Sequence, residues 1–224
     1  MKQDLPLADL VAFLKDEQIV TSHHQIEQLS NYLTEIRAGG KTLNLISSGD
    51  MKLLVGRHFL TSFYYLHNLL KDGSIAFNSI LDVGTGAGFP GIILSLFLTE
   101  SRLFLLDSSR KKSLFLKETI RKLGLSALVI NDRAENLTAI YGHTFNVAVA
   151  RAVADIPRLV SWVFPLLSSQ GKLFVLKGCD YKSELKNMNT NEIVLTEMKP
   201  SQSWIRFSPY LENKIMLKLE PKNA

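Results

Sequence analysis

Residues 80–91 read ILDVGTGAGFPG, with Asp82 two places before Gly84, and Gly86 and Gly88 at alternate positions after it. An apolar run precedes the loop and a helical pattern follows it. Glycines there let the backbone turn tightly and approach a ligand without Cβ clashes. Pro90 stands early in the following helix, where a missing N–H costs nothing. A dinucleotide fingerprint is G-x-G-x-x-G. Here the third glycine's place is taken by Phe89, and no Gly-Lys-Ser/Thr follows to make a P-loop. A carboxylate beside a pyrophosphate would repel it, whereas the same carboxylate favours a cation. S-adenosylmethionine carries an ammonium and a sulfonium and has no phosphate. The expectation is therefore that its amino-acid end sits near Asp82, against the amides of the glycine loop.

A second acid, Asp107, closes the next apolar run, LFLLD. An acid ~20 residues after such a loop suits a ribose diol. Nicotinamide enzymes and methyltransferases share that device, so Asp107 alone does not separate them. The third run leads into NDRAEN, residues 131–136, where backbone groups of Ala134 and Glu135 would read an adenine edge. Asp107 and Glu135 also suit plain helix N-terminal positions, through the helix dipole.

The elements that must position these residues follow from periodicity. Short apolar runs at 79–83, 102–107, 127–130, 145–150 and 171–176 alternate with helical stretches at 91–100, 110–123, 133–141 and 155–167. That alternation predicts a mostly parallel sheet with helices on both faces, and two more strands at 192–198 and 213–219. Residues 1–70 carry no strand pattern. Helical spacing recurs at 7–13, 26–36 and 50–70, with Gly39-Gly40 between the last two. The expected organisation is a helical region at 1–70 and a Rossmann-like α/β domain at 71–224.

Of the 224 residues, 46% are apolar, enough to bury a core. Net charge is +5, carried by residues after 70. A polyanion would therefore meet the C-terminal part. A single cysteine, Cys179, excludes a disulfide framework and a Cys/His zinc pattern. No metal is expected. The N-terminus lacks the apolar core of a signal peptide, and no stretch approaches a membrane span, so a soluble cytoplasmic protein is expected. Nothing implies an oligomer.

Together, DVGTGAGFPGI, LLDSSRKKSLFLKE, ARAVAD and LKG resemble, in order and spacing, the bacterial 16S ribosomal RNA guanine-N7 methyltransferase family RsmG, formerly called glucose-inhibited division protein B. The resemblance covers roughly residues 40–180. It implies a class I S-adenosylmethionine methyltransferase fold with a seven-stranded sheet and an N-terminal helical extension. The implied substrate is 16S ribosomal RNA or a small-subunit precursor, modified to 7-methylguanosine. The match further implies cofactor contacts at Gly84 and Phe89, ribose binding at Asp107 and adenine contacts at Ala134 and Glu135. Arg151, ending the fourth strand, matches an arginine at the methyl-transfer end, and Lys177 a lysine near the same face. Asn44, Arg57 and His58 match the family's NLT…RH segment. Thr61 stands where the family usually has Asp, and NKIMLKLEP where it commonly has Arg-His, which leaves substrate-side detail open.

Guanine N7 has an exposed lone pair and can attack a methyl sulfonium without losing a proton. Such a site needs alignment and electrostatics more than a base. The sequence fits: it has no Pro-Cys pair for covalent attack on cytosine, and no Asn-Pro-Pro-Tyr for an exocyclic amine. Arg151 stands where such motifs belong and is the candidate catalytic residue, orienting guanine or the cofactor's carboxylate; a structural ion pair is the plain alternative. Arg110, Lys111 and Lys177 are candidate RNA contacts. Trp162 reads as core. Trp204, Phe207 and Tyr210 suit either base stacking or packing of the last strands. Three other readings stay open: a methyltransferase acting on a small molecule or protein, a nicotinamide-dependent dehydrogenase, and a non-catalytic RNA-binding module.

Overall fold

The computed structural model describes residues 4–43, 45–73, 79–186 and 188–222. Helix α1 (Leu7–Asp16) buries Leu10, Phe13 and Leu14, one face of a helical period. Helix α2 (His23–Leu43) buries Leu29, Tyr32, Leu33 and Ile36 in the same way. It runs through Gly39-Gly40 instead of ending there. A Cβ on Gly39 would lie 2.9 Å from the Phe115 ring, so the glycine sets how closely α2 packs on that side chain.

The helix expected over 50–70 is three kinds of turn in sequence. A 3-10 turn (Asp50–Leu53) leads into a π-helical turn (Leu54–Phe59) and only then into α3 (Leu60–Asp72). The Asp4 carboxylate accepts the N–H groups of Val55 at 3.1 Å and Gly56 at 3.0 Å, capping the irregular start. Wider i→i+5 turns inside helices recur at functional sites, and this one carries Arg57 and His58. Gly73, at φ 74°, closes α3 in the left-handed conformation that suits glycine.

From there strand and helix alternate: β1 (Ser79–Val83), α4 (Gly91–Phe97), β2 (Arg102–Leu106), α5 (Arg110–Leu123), β3 (Leu128–Ile130), α6 (Thr138–Tyr141), β4 (Phe145–Arg151), α7 (Ile156–Val163), β5 (Leu167–Gly178), β6 (Ile193–Met198), α8 (Gln202–Phe207) and β7 (Lys214–Pro221). The seven strands form one sheet in the order β3-β2-β1-β4-β5-β7-β6. Strands β1 to β5 pair in parallel, and β7 runs antiparallel between β5 and β6. The helix expected over 133–141 is shorter: a 3-10 turn (Ala134–Asn136) precedes the four-residue α6. Helix α8 has no counterpart among the expected elements.

Side-chain alternation along each strand separates two cores. Ile80, Leu103, Leu105, Val147, Val149, Phe174 and Leu176 face one core, shared with residues of α1 to α5. Leu81, Val83, Phe104, Leu106, Ala148, Ala150, Leu173 and Val175 face the other, shared with α7. The N-terminal helices thus cover one face of the sheet. Asp82, Asp107 and Arg151 fall in the parity of that covered face, at the carboxyl ends of β1, β2 and β4. Ligands bind open parallel sheets at those ends.

Candidate functional site

Between β1 and α4 the glycine loop is held from beneath. Asp82 is fully buried. Its Oδ2 accepts the Thr85 hydroxyl at 2.6 Å and the Gly91 N–H at 2.7 Å, and its Oδ1 is buried with no partner among the described residues. The carboxyl expected to meet the cofactor's ammonium thus has one oxygen engaged within the loop itself. The carboxyl clamps the underside of the loop and lines neither cavity beside it. Gly91 permits the clamp, since a Cβ there would lie 2.6 Å from Asp82 Oδ2 and 2.2 Å from Leu105. Gly88 likewise turns inward, where a Cβ would come 2.7 Å from the Tyr32 hydroxyl oxygen and from Ile92.

Burial pushes the Asp82 carboxyl up to about 7, against the opposing pull of Thr85, Gly91 and Arg151. Between about pH 4 and pH 7 the unfolded chain releases a proton that the folded chain keeps. Stability should therefore fall as pH rises through that window and level off above it, by at most ~4 kcal/mol for a shift of this size. Asp82→Asn removes the titration and keeps an oxygen acceptor. Urea unfolding at pH 4.5 and pH 7.5 should show the variant gaining on the wild type at the higher pH. An unchanged difference would mean that Asp82 does not titrate there.

Two cavities flank the loop and meet at Gly84. The first, of about 260 Å³, is lined by Val83, Gly84, Leu106, Asp107, Ser108, the 132–135 turn, Val153 and Trp162. Asp107 ends β2 with its Oδ2 accepting the Gly86 N–H at 3.0 Å and its Oδ1 the Ser109 N–H at 2.8 Å. Asp107 thus fixes the glycine loop to the start of α5, with the Lys112 ammonium 3.8 Å from its Oδ2. Ala134 is buried on the wall and Glu135 exposed on the rim. Gly84 has φ 65°, and a Cβ there would lie 2.7 Å from Val153. Trp162, expected in the core, is half-buried on this wall. Asp107, Asp132 and Glu135 outnumber Arg133 around the cavity, which disfavours a pyrophosphate and suits a cationic nucleoside.

The second cavity, of about 280 Å³, is lined by Gly84 to Ala87, Phe89, Arg151, Ala152, His58, Arg57, Asp50, Tyr210 and residues 45–47. Arg151 lies over the Phe89 ring at 5.4 Å from its centroid and donates from Nη2 to His58 Nδ1 at 2.9 Å. Phe89 itself packs among Tyr32, Phe59 and His58. Arg57 pairs with Asp50 and stacks on Tyr210, 4.4 Å from the ring centroid. Burial, with Arg151 second, drives the His58 ring down to about 3. Beneath Arg151, the buried Tyr65 hydroxyl donates to Ala150 O at 2.6 Å and accepts the Leu176 N–H at 2.8 Å, bridging β4 and β5.

The structure separates Lys177 from this group. Arg151 pairs with Leu176, and Lys177 is one residue further along β5, on the opposite face. Its Nζ donates to Ala154 O at 2.8 Å and to Glu184 at 2.7 Å, so its charge is engaged within the protein. Arg110 and Lys111 are exposed at the start of α5, two and three residues beyond Ser108 of the first cavity's lining. Trp204 and Phe207 pack on Phe13 of α1, and Tyr210 alone of that trio lines the cavity around Arg151. Asn44 lies outside the described residues. Tyr65 and Val153 were missed by the sequence reading, because an aromatic in a helix and a valine after a strand carry no local sign of a site. No group of three or more metal-ligating side chains occurs among the described residues.

A seven-stranded sheet with this order and one reversed strand, an acid-clamped glycine loop after β1 and an acid ending β2 define a class I methyltransferase. Solved structures agree in fold. An rRNA methylase from Streptococcus thermophilus superposes with TM-score 0.53 at 14% identity, covering 72% of this chain and 97% of that one. A mutant of MtNAS in complex with S-adenosylmethionine superposes with TM-score 0.59 at 14% identity, covering 97% and 78%. The family described as GidB, rRNA small subunit methyltransferase G, matches residues 25–205, and the chain belongs to that family. Among its relatives, ribosomal RNA small subunit methyltransferase G of a Roseiflexus species is 37% identical over 169 residues, 74% of this chain and 70% of the relative. The Halorhodospira halophila protein of the same name is 33% identical over 184 residues, 82% and 84%.

Proposed function

We propose that the chain moves a methyl group from S-adenosylmethionine to N7 of a guanine in 16S ribosomal RNA, presented as the RNA or as a small-subunit precursor in the cytoplasm. The observation that carries this reading is the pair of cavities meeting at Gly84, acidic at one end and built around Arg151 at the other. Asp107 would take the ribose diol, Ala134 and Glu135 the adenine edge, Val153 and Trp162 its faces, and the amides of Gly84 and Gly86 the amino-acid portion. When bound, the cofactor supplies an electrophilic methyl on a sulfonium. Around the second cavity no described side chain stands as a free base: Asp50 is paired with Arg57 and His58 with Arg151. That supports a nucleophile needing no deprotonation, such as guanine N7. Arg151 orients the base and places positive charge beside its polar edge, against the flat support of Phe89.

Mass spectrometry of 16S ribosomal RNA from a strain lacking the gene should show one 7-methylguanosine missing, restored by the wild-type gene. An unchanged RNA modification profile would overturn the reading and favour a small molecule or protein as acceptor.

The exposed Arg110 and Lys111 in the first turn of α5 are the candidate phosphate contacts. Replacing both with alanine should weaken RNA binding and reduce the slope of log K against log salt by about 1–2. Cofactor affinity, measured by calorimetry, should stay as in the wild type. An unaltered salt slope would remove these residues from the RNA surface.

A further inference from the structure

We infer that His58 is a positioning residue for Arg151: a neutral imidazole whose bare Nδ1 holds the guanidinium in place, and not a general base. The inference rests on the reading of Arg151 as the group at the methyl-transfer end.

The tautomer follows from chemistry. A guanidinium has only donors. The 2.9 Å contact between Arg151 Nη2 and His58 Nδ1 therefore requires a lone pair on Nδ1, and the ring proton sits on Nε2. Nε2 is buried and has no hydrogen-bond partner among the described residues. The ring is consequently desolvated on one side and faces a cation on the other, and both disfavour a second proton. A protonated ring would turn N–H against N–H and expel Arg151. The charged groups that bear on the ring are Arg151 from β4, and Asp50 and Arg57 from the turns around it. Asp50, the one group favouring protonation, is engaged by Arg57. Burial and Arg151 prevail, which agrees with a ring held down to about 3.

The backbone explains how a helical histidine reaches a strand end 93 residues away in sequence. His58 lies in the π-helical turn, and its ring is 5.3 Å from that of Phe89. Arg151 lies over Phe89 as well. Imidazole and phenyl thus pack on each other, and the guanidinium meets the Nδ1 edge of the one and the face of the other. Loss of the acceptor would leave the phenyl face, which is weaker and does not fix the rotation of the guanidinium.

Nitrogen-15 NMR of the histidine rings in the intact protein tests the tautomer without any substrate. His58 should show a bare Nδ1 and a protonated Nε2, unchanged from pH 5 to pH 8. A proton on Nδ1, or a titration within that range, would overturn the inference. Kinetics test the role. His58→Leu should lower kcat about 10-fold, with cofactor affinity within about 3-fold of the wild type. His58→Asn, which keeps an oxygen near the Nδ1 position, should recover most of the rate. In an Arg151→Ala background His58→Leu should add nothing, because the two act as one unit. Multiplying effects would overturn the inference. If the wild-type protein left ribosomal RNA unmethylated, the functional reading would fail, while the tautomer result would still stand or fall alone.

Discussion

Arg151→Ala should lower kcat/KM for RNA methylation by about 10²–10³-fold, the scale on which a preorganised electrostatic contact acts in a water-poor site. Most of the loss should fall on kcat. The guanidinium is fixed by His58 and Phe89 before any substrate arrives. Binding need not spend free energy on orienting it, and its removal therefore weakens the transition state more than the ground state. Arg151→Lys should recover little, since a point charge cannot make the flat contact over Phe89 while reaching Nδ1 of His58. Single-turnover methyl transfer to 16S ribosomal RNA, at saturating cofactor, reads the effect directly. A wild-type rate in the alanine variant would reduce Arg151 to a structural cation.

Asp107→Ala should raise the dissociation constant for S-adenosylmethionine by about 100-fold or more, equivalent to ~3 kcal/mol. Two losses combine. The carboxylate that would take the ribose diol disappears, and so do the tethers to the Gly86 and Ser109 N–H groups. Asp107→Asn separates them. An amide keeps one oxygen acceptor and replaces the other with a donor that faces an N–H, so one tether survives and one is repelled. Its affinity should fall between the wild type and alanine. Calorimetry with S-adenosylmethionine measures both, and NAD(H) should give no heat with either. Wild-type affinity in Asp107→Ala would place the ribose elsewhere.

Much of this was legible before folding was considered. The strand-loop-helix around residues 80–91, the acid ending β2 and the 131–136 turn are local features, set by neighbours within a few positions. The alternation of short apolar runs with helical periods predicted the sheet that the structure contains, including the last two strands. Where the reading went wrong, a distant contact decided. Gly39-Gly40 reads as a break, yet Phe115 packs against it and α2 continues. Residues 50–70 read as one helix, yet Asp4 caps the backbone at Val55 and Gly56 and a π-helical turn forms instead.

The sequence by itself determined the class of chain, the glycine loop, the acid that ends β2 and the family. These depend on residue type and short spacing, which folding does not alter. The tertiary structure alone decided which side chains share a cavity. Pairing of Arg151 with Leu176 puts Lys177 on the far face, although its number suggests a neighbour. Packing of α3 and the turns before it against the covered face brings His58 to Arg151 and Tyr65 to the β4–β5 seam. Those contacts join residues far apart in sequence, and their energies come from burial and register. No local pattern encodes either, because strand parity has meaning only once the partner strand and its register are set.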